Sequence, residues 1–143
     1  MKILVTGGAG YLGSVLSSIL ISQGHNVTVI DNFKHGVPSL SPLCRFRNFK
    51  LINADVRNQS IIQAEVKKAD VVIPLAALVG APLCAKNPQE TYSINFQAIR
   101  YLVKACSPDQ IIIFSNSNSG YGTTAPGTVC TEDTPSNPIS EYG

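Results

Sequence analysis

The sequence predicts a doubly wound α/β domain, a parallel sheet covered by helices on both faces. Three observations carry that expectation. Short apolar runs rich in β-branched residues recur at 2–6, 27–31, 49–55, 69–77 and 110–114. Stretches of helical period separate several of them, and strands that alternate with helices pair in parallel through crossovers. Charged residues make up only 14% of the chain against 44% hydrophobic, below the quarter or so of a typical soluble chain, which suits strands buried on both sides. Right-handed crossovers from a central first strand give the order 3-2-1-4-5. The 143 residues suffice for one domain and not for two ordinary ones.

The elements follow in order. "KILVT" (2–6) is the first strand. After a cluster of glycines, Leu12, Val15, Leu16, Ile19 and Leu20 recur at the spacing of one helix face. "GHN" (24–26) stops that helix, and "VTVID" (27–31) is the second strand. Residues 32–48 read as a loop with room for a short helix. "FKLINAD" (49–55) is the third strand, and Asn58 caps a short helix carrying Ile61, Ile62 and Val66. "ADVVIPLAA" (69–77) is the fourth strand, with Pro74 near its end, where a missing N–H is tolerated. "NPQE" (87–90) opens the next helix, with Asn87 as cap, Pro88 at the first position and Glu90 reaching back. That helix buries Ala98, Ile99, Leu102, Val103 and Cys106, and "QIIIF" (110–114) is the fifth strand.

Composition narrows the function classes. A net charge of +2 gives no case for a nucleic-acid or membrane-surface partner. The four cysteines, Cys44, Cys84, Cys106 and Cys130, are far apart with no C-x-x-C pair, so no metal site is expected, and reduced thiols in a cytoplasm are. The uncharged run from Ile3 to Gln23 mimics a membrane anchor, but the glycines at its centre interrupt any continuous helix and make it strand, turn and helix.

Those glycines carry the functional signal. In "TGGAGYLG" (6–13), Gly7, Gly10 and Gly13 stand at G-x-x-G-x-x-G spacing, between a strand and an amphipathic helix, a variant of the dinucleotide fingerprint. Gly7 permits the tight turn, Gly10 lets a pyrophosphate approach the backbone, and Gly13 lets the helix pack closely. Free N–H groups around Tyr11 and Leu12 then hold the phosphates, aided by the helix dipole. Asp31 ends the second strand 18 residues beyond Gly13, placed to accept ribose hydroxyls and to repel a 2′-phosphate. NAD rather than NADP is the expected cofactor.

With these motifs in place, the chain resembles the extended short-chain dehydrogenase/reductase superfamily, and within it the NAD-dependent nucleotide-sugar epimerase/dehydratase family, over residues 1–143. "TGGAGYLG" is similar to the family's T-G-G-x-G-x-x-G. "DN" (Asp31, Asn32) is similar to its ribose-binding strand end, and "ADVR" (54–57) to its D-[ILV]-R element. The resemblance implies that Asp55 and Val56 line the adenine pocket. It implies that the backbone of Leu75, Ala76 and Ala77 in "LAALVG" borders the cofactor, with Asn95 on the following helix. "FSNSNSGYG" (114–122) and "SEYG" (140–143) resemble the segments that hold the active-site hydroxyl and the Y-x-x-x-K tyrosine. That makes Ser117 and Tyr142, 25 residues apart, the catalytic candidates, with Tyr142 as acid/base on a nucleotide-sugar substrate.

The departures shape the expectation as well. Pro74 replaces a common histidine, and Asn118 and Ser119 stand where sugar 4,6-dehydratases carry acidic residues. This leaves epimerisation or carbonyl reduction. The lysine of Y-x-x-x-K falls three residues past Gly143, and the sugar-binding region lies outside these residues. The expectation is therefore an incomplete Rossmann-like NAD-binding domain over 1–143, truncated after strand five and inactive alone. A non-catalytic NAD-binding sensor or interaction module, or a chain completed by a second one, are the alternatives. An apolar fifth strand with nothing beside it is expected to self-associate through the exposed sheet edge.

Overall fold

A computed structural model describes residues 1–36 and 38–143. Five strands form one sheet: β1 (Lys2–Thr6), β2 (Asn26–Asp31), β3 (Phe49–Asn53), β4 (Val71–Pro74) and β5 (Ile111–Ile112). Their order is β3-β2-β1-β4-β5, and every pairing is parallel. The sequence expectation of a Rossmann-like sheet in the order 3-2-1-4-5 is met. The register sets Val5 between Val29 and Ile73, so the central strands are flanked by apolar residues on both sides.

Alternation divides these side chains between two cores. On one face Ile3, Val5, Val27, Val29, Val71 and Ile73 pack with Ile21 of helix α1 (Tyr11–Ser22) and with Leu40 and Leu43. Leu43 belongs to a short 3₁₀ helix (Ser41–Arg45), the helix for which the sequence leaves room in 32–48. On the other face Leu4, Ile30 and Val72 pack with Ile62 and Val66 of α2 (Gln59–Val66) and with Leu102. Asn58 caps α2 as expected, its side chain accepting the Ile61 N–H at 3.3 Å. The uncharged run 3–23 is strand, turn and a 12-residue helix; among the described residues no helix is long and apolar enough to cross a membrane.

Four expectations need correcting. In α1 the buried line is Gly13, Ser17 and Ile21, with Leu16 and Leu20 half-buried beside it, while Leu12, Val15 and Ile19 are 55%, 52% and 48% exposed. Small residues at 13 and 17 let the helix backbone approach the sheet, which turns it by about one residue from the line of the large ones. Next, Glu90 does not reach back to its helix start. It takes Lys34 Nζ at 2.9 and 3.1 Å, and Asn87 donates to Leu83 O instead of capping. Third, Val103 is exposed and Ile99 and Cys106 are half-buried, because the helix facing this core is not regular. α4 (Pro88–Thr91) runs through π-helical turns (Tyr92–Ala98) into α5 (Ile99–Ala105) without a break. Finally, β5 is shorter than "QIIIF". Only Ile111 and Ile112 pair as a strand, although the Ile113 N–H still reaches Val72 O at 3.0 Å. A helix absent from the sequence reading, α3 (Ala81–Lys86), follows β4.

Candidate functional site

The glycine turn sits between β1 and α1 at the carboxyl end of the central strands, where ligands bind in such sheets. Its glycines answer different demands. Gly7 has φ +71°, and a Cβ there would lie 2.5 Å from Ala76 N. A Cβ on Gly8 would lie 2.5 Å from Val29 Cγ1, and one on Gly13 2.6 Å from both Gly7 O and Gly8 Cα. These three positions are required by the protein's own packing. Gly10 is not. It is exposed, its φ of −71° and ψ of 177° are open to any residue, and a Cβ would meet only Gly7 O at 3.3 Å.

The turn is laced to its surroundings. Gly7 N–H donates to Ile30 O at 2.8 Å and Gly10 N–H to Gly7 O at 3.2 Å. Asp31 closes it from the end of β2: Oδ2 accepts the Ala9 N–H at 2.9 Å, and Oδ1 accepts the Phe33 N–H at 2.8 Å. A carboxylate offers about four acceptor sites, so Asp31 keeps capacity for ribose hydroxyls. Ser39 Oγ donates to Ala9 O at 2.7 Å, a tie that no motif announces. At the start of α1 the N–H groups of Tyr11, Leu12 and Gly13 have no acceptor among the described residues, and no acidic residue occupies the first turn. The positive helix end is thus left uncompensated. The Tyr11 side chain is 93% exposed, so its share in a phosphate site is its backbone N–H. Residues 6–13 and 31 fit a dinucleotide's pyrophosphate and ribose.

Beyond β3 the polar groups are already engaged. Asp55 accepts Arg57 Nε at 2.8 Å, Arg57 Nη2 at 2.7 Å, Arg57 N at 2.8 Å and Asn32 Nδ2 at 3.4 Å. The hydrogen bonds from the Arg57 side chain hold its pKa down to about 2, against a smaller opposing effect of burial. Arg57 in turn is raised, first by that same bond. The sequence reading gives Arg57 no role; the two-residue step from Asp55, at which a planar guanidinium can fork onto a carboxylate, is the signal that was available. The next residue, Val56, is half-buried and packs against Leu78, Cys84 and Ile94.

At the end of β4, Leu75 N–H continues the ladder to Thr6 O at 2.9 Å, and Ala76 lies against Gly7. Ala77 is exposed. Asn95 projects onto this segment: its Oδ1 accepts the Leu78 N–H, and its Nδ2 donates to Leu78 O, both at 2.8 Å.

The two catalytic candidates come from one irregular region. Ser117 precedes a 3₁₀ turn (Asn118–Tyr121) and caps it, its Oγ accepting Ser119 N–H at 3.3 Å and donating to Ser119 Oγ at 3.1 Å. Tyr142 is half-buried against the cluster of Leu78, Cys84 and Ile94. A Cβ on Gly143 would lie 2.5 Å from Ser119 O, and Asn137 N–H donates to Gly120 O at 2.9 Å. The chain therefore folds residues 137–143 back onto the turn that Ser117 opens.

A five-stranded parallel sheet, a glycine turn against a free helix start and an aspartate at the end of β2 define the dinucleotide-binding class of α/β proteins. The family model described as the NAD dependent epimerase/dehydratase family matches residues 3–143, and the chain belongs to that family. The chain is similar to a UDP-glucose 4-epimerase of Corynebacterium glutamicum, 34% identical over 148 residues that cover 100% of this chain and 43% of that protein. It is also similar to a UDP-N-acetyl-alpha-D-glucosaminuronate decarboxylase of Bacillus cytotoxicus, 30% identical over 126 residues, 87% of this chain and 39% of that one. Among solved structures, the UDP-glucuronic acid 4-epimerase of Bacillus cereus in complex with UDP-glucuronic acid and NAD superposes with a TM-score of 0.87 at 30% identity. That match covers 99% of this chain and 48% of the other. The chain thus spans less than half the length of these relatives.

Proposed function

We propose that residues 1–143 form the NAD-binding domain of a nucleotide-sugar epimerase-like enzyme, with Ser117 and Tyr142 at the reacting end. The observation that supports the cofactor most directly is Gly10. The chain's own packing asks less of Gly10 than of the other three, a Cβ there meeting Gly7 O at 3.3 Å, and a bare backbone at this exposed position suits close approach from outside, as by a pyrophosphate. When bound, NAD would accept and return a hydride at a sugar carbon. The N–H groups of residues 11–13 hold the phosphates, the free acceptor sites of Asp31 take the ribose hydroxyls, and the same carboxylate repels a 2′-phosphate. Tyr142 exchanges a proton with the sugar hydroxyl. The Ser117 hydroxyl, whose proton rests on Ser119 Oγ at 3.1 Å, turns to the sugar oxygen.

Titration calorimetry with NAD and NADP tests this on the parent chain and on Gly10→Asp. NAD binds more tightly than NADP to the parent. In the variant an aspartate at the helix cap keeps or raises the melting temperature while its charge lowers NAD affinity about a hundredfold. Equal or tighter NADP binding by the parent, or undiminished NAD binding by Gly10→Asp, overturns the assignment.

We also propose that the sheet edge promotes self-association, since Ile111, Ile113 and Phe114 are all more than half exposed beside a two-residue strand. Sedimentation equilibrium then shows a mass rising with concentration; a monomer throughout the micromolar range removes this reading.

A further inference from the structure

We propose that the cleft between α2 and α5 is a second ligand site, separate from the glycine turn, that binds a small phosphate ester. The proposal goes beyond the cofactor reading and does not depend on it.

The cleft has a volume of about 480 Å³, within the roughly 300–1,000 Å³ of small-molecule sites. Neither the glycine turn (6–13) nor Asp31 lines it. Its floor is apolar: Ala98 is buried, Val56 and Tyr101 are half-buried, and Tyr101 packs against the core cluster of Ile62, Val66 and Leu102. Its walls are cationic. Arg57 comes from the loop after β3, Arg100 and Lys104 come from α5, and no acidic residue is among the lining.

Each cation keeps something to give. Asp55 takes Arg57 Nε and Nη2 at 2.8 and 2.7 Å, which fixes the guanidinium, while Nη1 has only Ser93 Oγ at 3.4 Å, long for a charged donor. Lys34, Lys50 and Lys68 are ion-paired, whereas among the described residues Arg100 and Lys104 have no carboxylate within 4.0 Å. These two also stand four apart on one helix, where like charges cost stability. The last turn of α5 accounts for Lys104, because a helix end favours a cation there; Arg100, one turn earlier, has no such reason. Gln59, another lining residue, opens α2, whose first turn holds no acid, so that positive helix end adds to the field. Cations around an apolar floor match a phosphoryl group carried on an organic body. The guanidinium and ammonium groups pair with the phosphate, and the ring of Tyr101 with Val56 and Ala98 takes the carbon part.

The test is an NMR titration of the parent chain with phenyl phosphate and with inorganic phosphate. It is read at the Arg57 and Arg100 side-chain N–H groups and at the amides of Gln59, Gln97 and Lys104. Phenyl phosphate moves these signals with a Kd below about 1 mM, at least about fivefold tighter than inorganic phosphate, and added salt weakens it. The amides of residues 11–13 report the glycine turn in the same spectra. Saturating NAD removes any phosphate response there and leaves the cleft response intact. Replacing the exposed pair together, Arg100→Gln with Lys104→Gln, keeps or raises the melting temperature and weakens the cleft response at least about tenfold. Cleft signals unmoved by about 10 mM phenyl phosphate overturn the proposal. Equal affinity for the two probes, loss of the cleft response on adding NAD, or undiminished binding by the double variant does the same. A parent chain silent toward NAD overturns the cofactor reading and leaves this proposal to stand or fall on the cleft signals.

Discussion

The glycine turn stands on strands whose apolar residues are buried, whereas Ser117 and Tyr142 stand on a stretch in which no described residue beyond Leu102 is buried. The first is fixed by the interior: Val5 and Val29 at 0% exposure lie beneath it, and Gly7, Gly8 and Gly13 are dictated by backbone and side-chain contacts at 2.5–2.6 Å. The second is held by a few turn hydrogen bonds and one small cluster. A cofactor cradle made this way is rigid before anything binds. The stretch carrying Ser117 and Tyr142 lacks that support, which under the proposed function makes it the half that binding would organise.

Hydrogen exchange should give the largest contrast. Amides of β1, β2 and β4 exchange near the rate set by global unfolding, and those of 115–143 about 10³-fold faster or more. Comparable protection in both regions breaks the comparison. Gly7→Ala comes next. A Cβ 2.5 Å from Ala76 N at φ +71° combines overpacking with backbone strain and should cost about 3 kcal/mol in urea unfolding; a near-neutral variant would show that the cradle is soft.

The smallest effect sharpens the picture at β3. In Arg57→Leu the Asp55 pKa rises from about 2 toward the ordinary value of about 4, as read by carboxyl carbon NMR. Because the folded pKa is depressed, the stability it contributes is present above about pH 4 and is lost as pH falls through about 2. The variant loses that acid-dependent component. An Asp55 pKa unmoved in the variant would mean that Arg57 is not what depresses it.

Legibility in the sequence followed the same division. The order of strands, the turn and Asp31 were readable because buried strands and a strand–glycine–helix junction impose local patterns. The sequence hid what depends on contacts between distant segments. Gly13 and Ser17 rotated α1 away from its larger apolar residues, since close approach counts for more than side-chain size at that surface. Lys34 drew Glu90 away from its helix start. The π-helical turns at 92–98 interrupt a helix that the sequence reads as continuous, and no residue among them announces the change. Ser117 and Tyr142 rest on family resemblance alone, because the irregular stretch that carries them has no periodic pattern; only the fold shows 137–143 lying back on the turn at 118–121.

Asp31 has a bearing on how cofactor preference can change over evolutionary time. The carboxylate that would select against a 2′-phosphate also accepts the Ala9 and Phe33 N–H groups. A lineage cannot exchange it for a basic or apolar residue without releasing two backbone donors of the turn that the exchange was meant to serve. A path to NADP therefore runs through substitutions that first supply a new acceptor for Ala9, or through asparagine, which keeps an acceptor while removing the charge. Under the proposed assignment, selectivity and loop architecture would be inherited as a single trait.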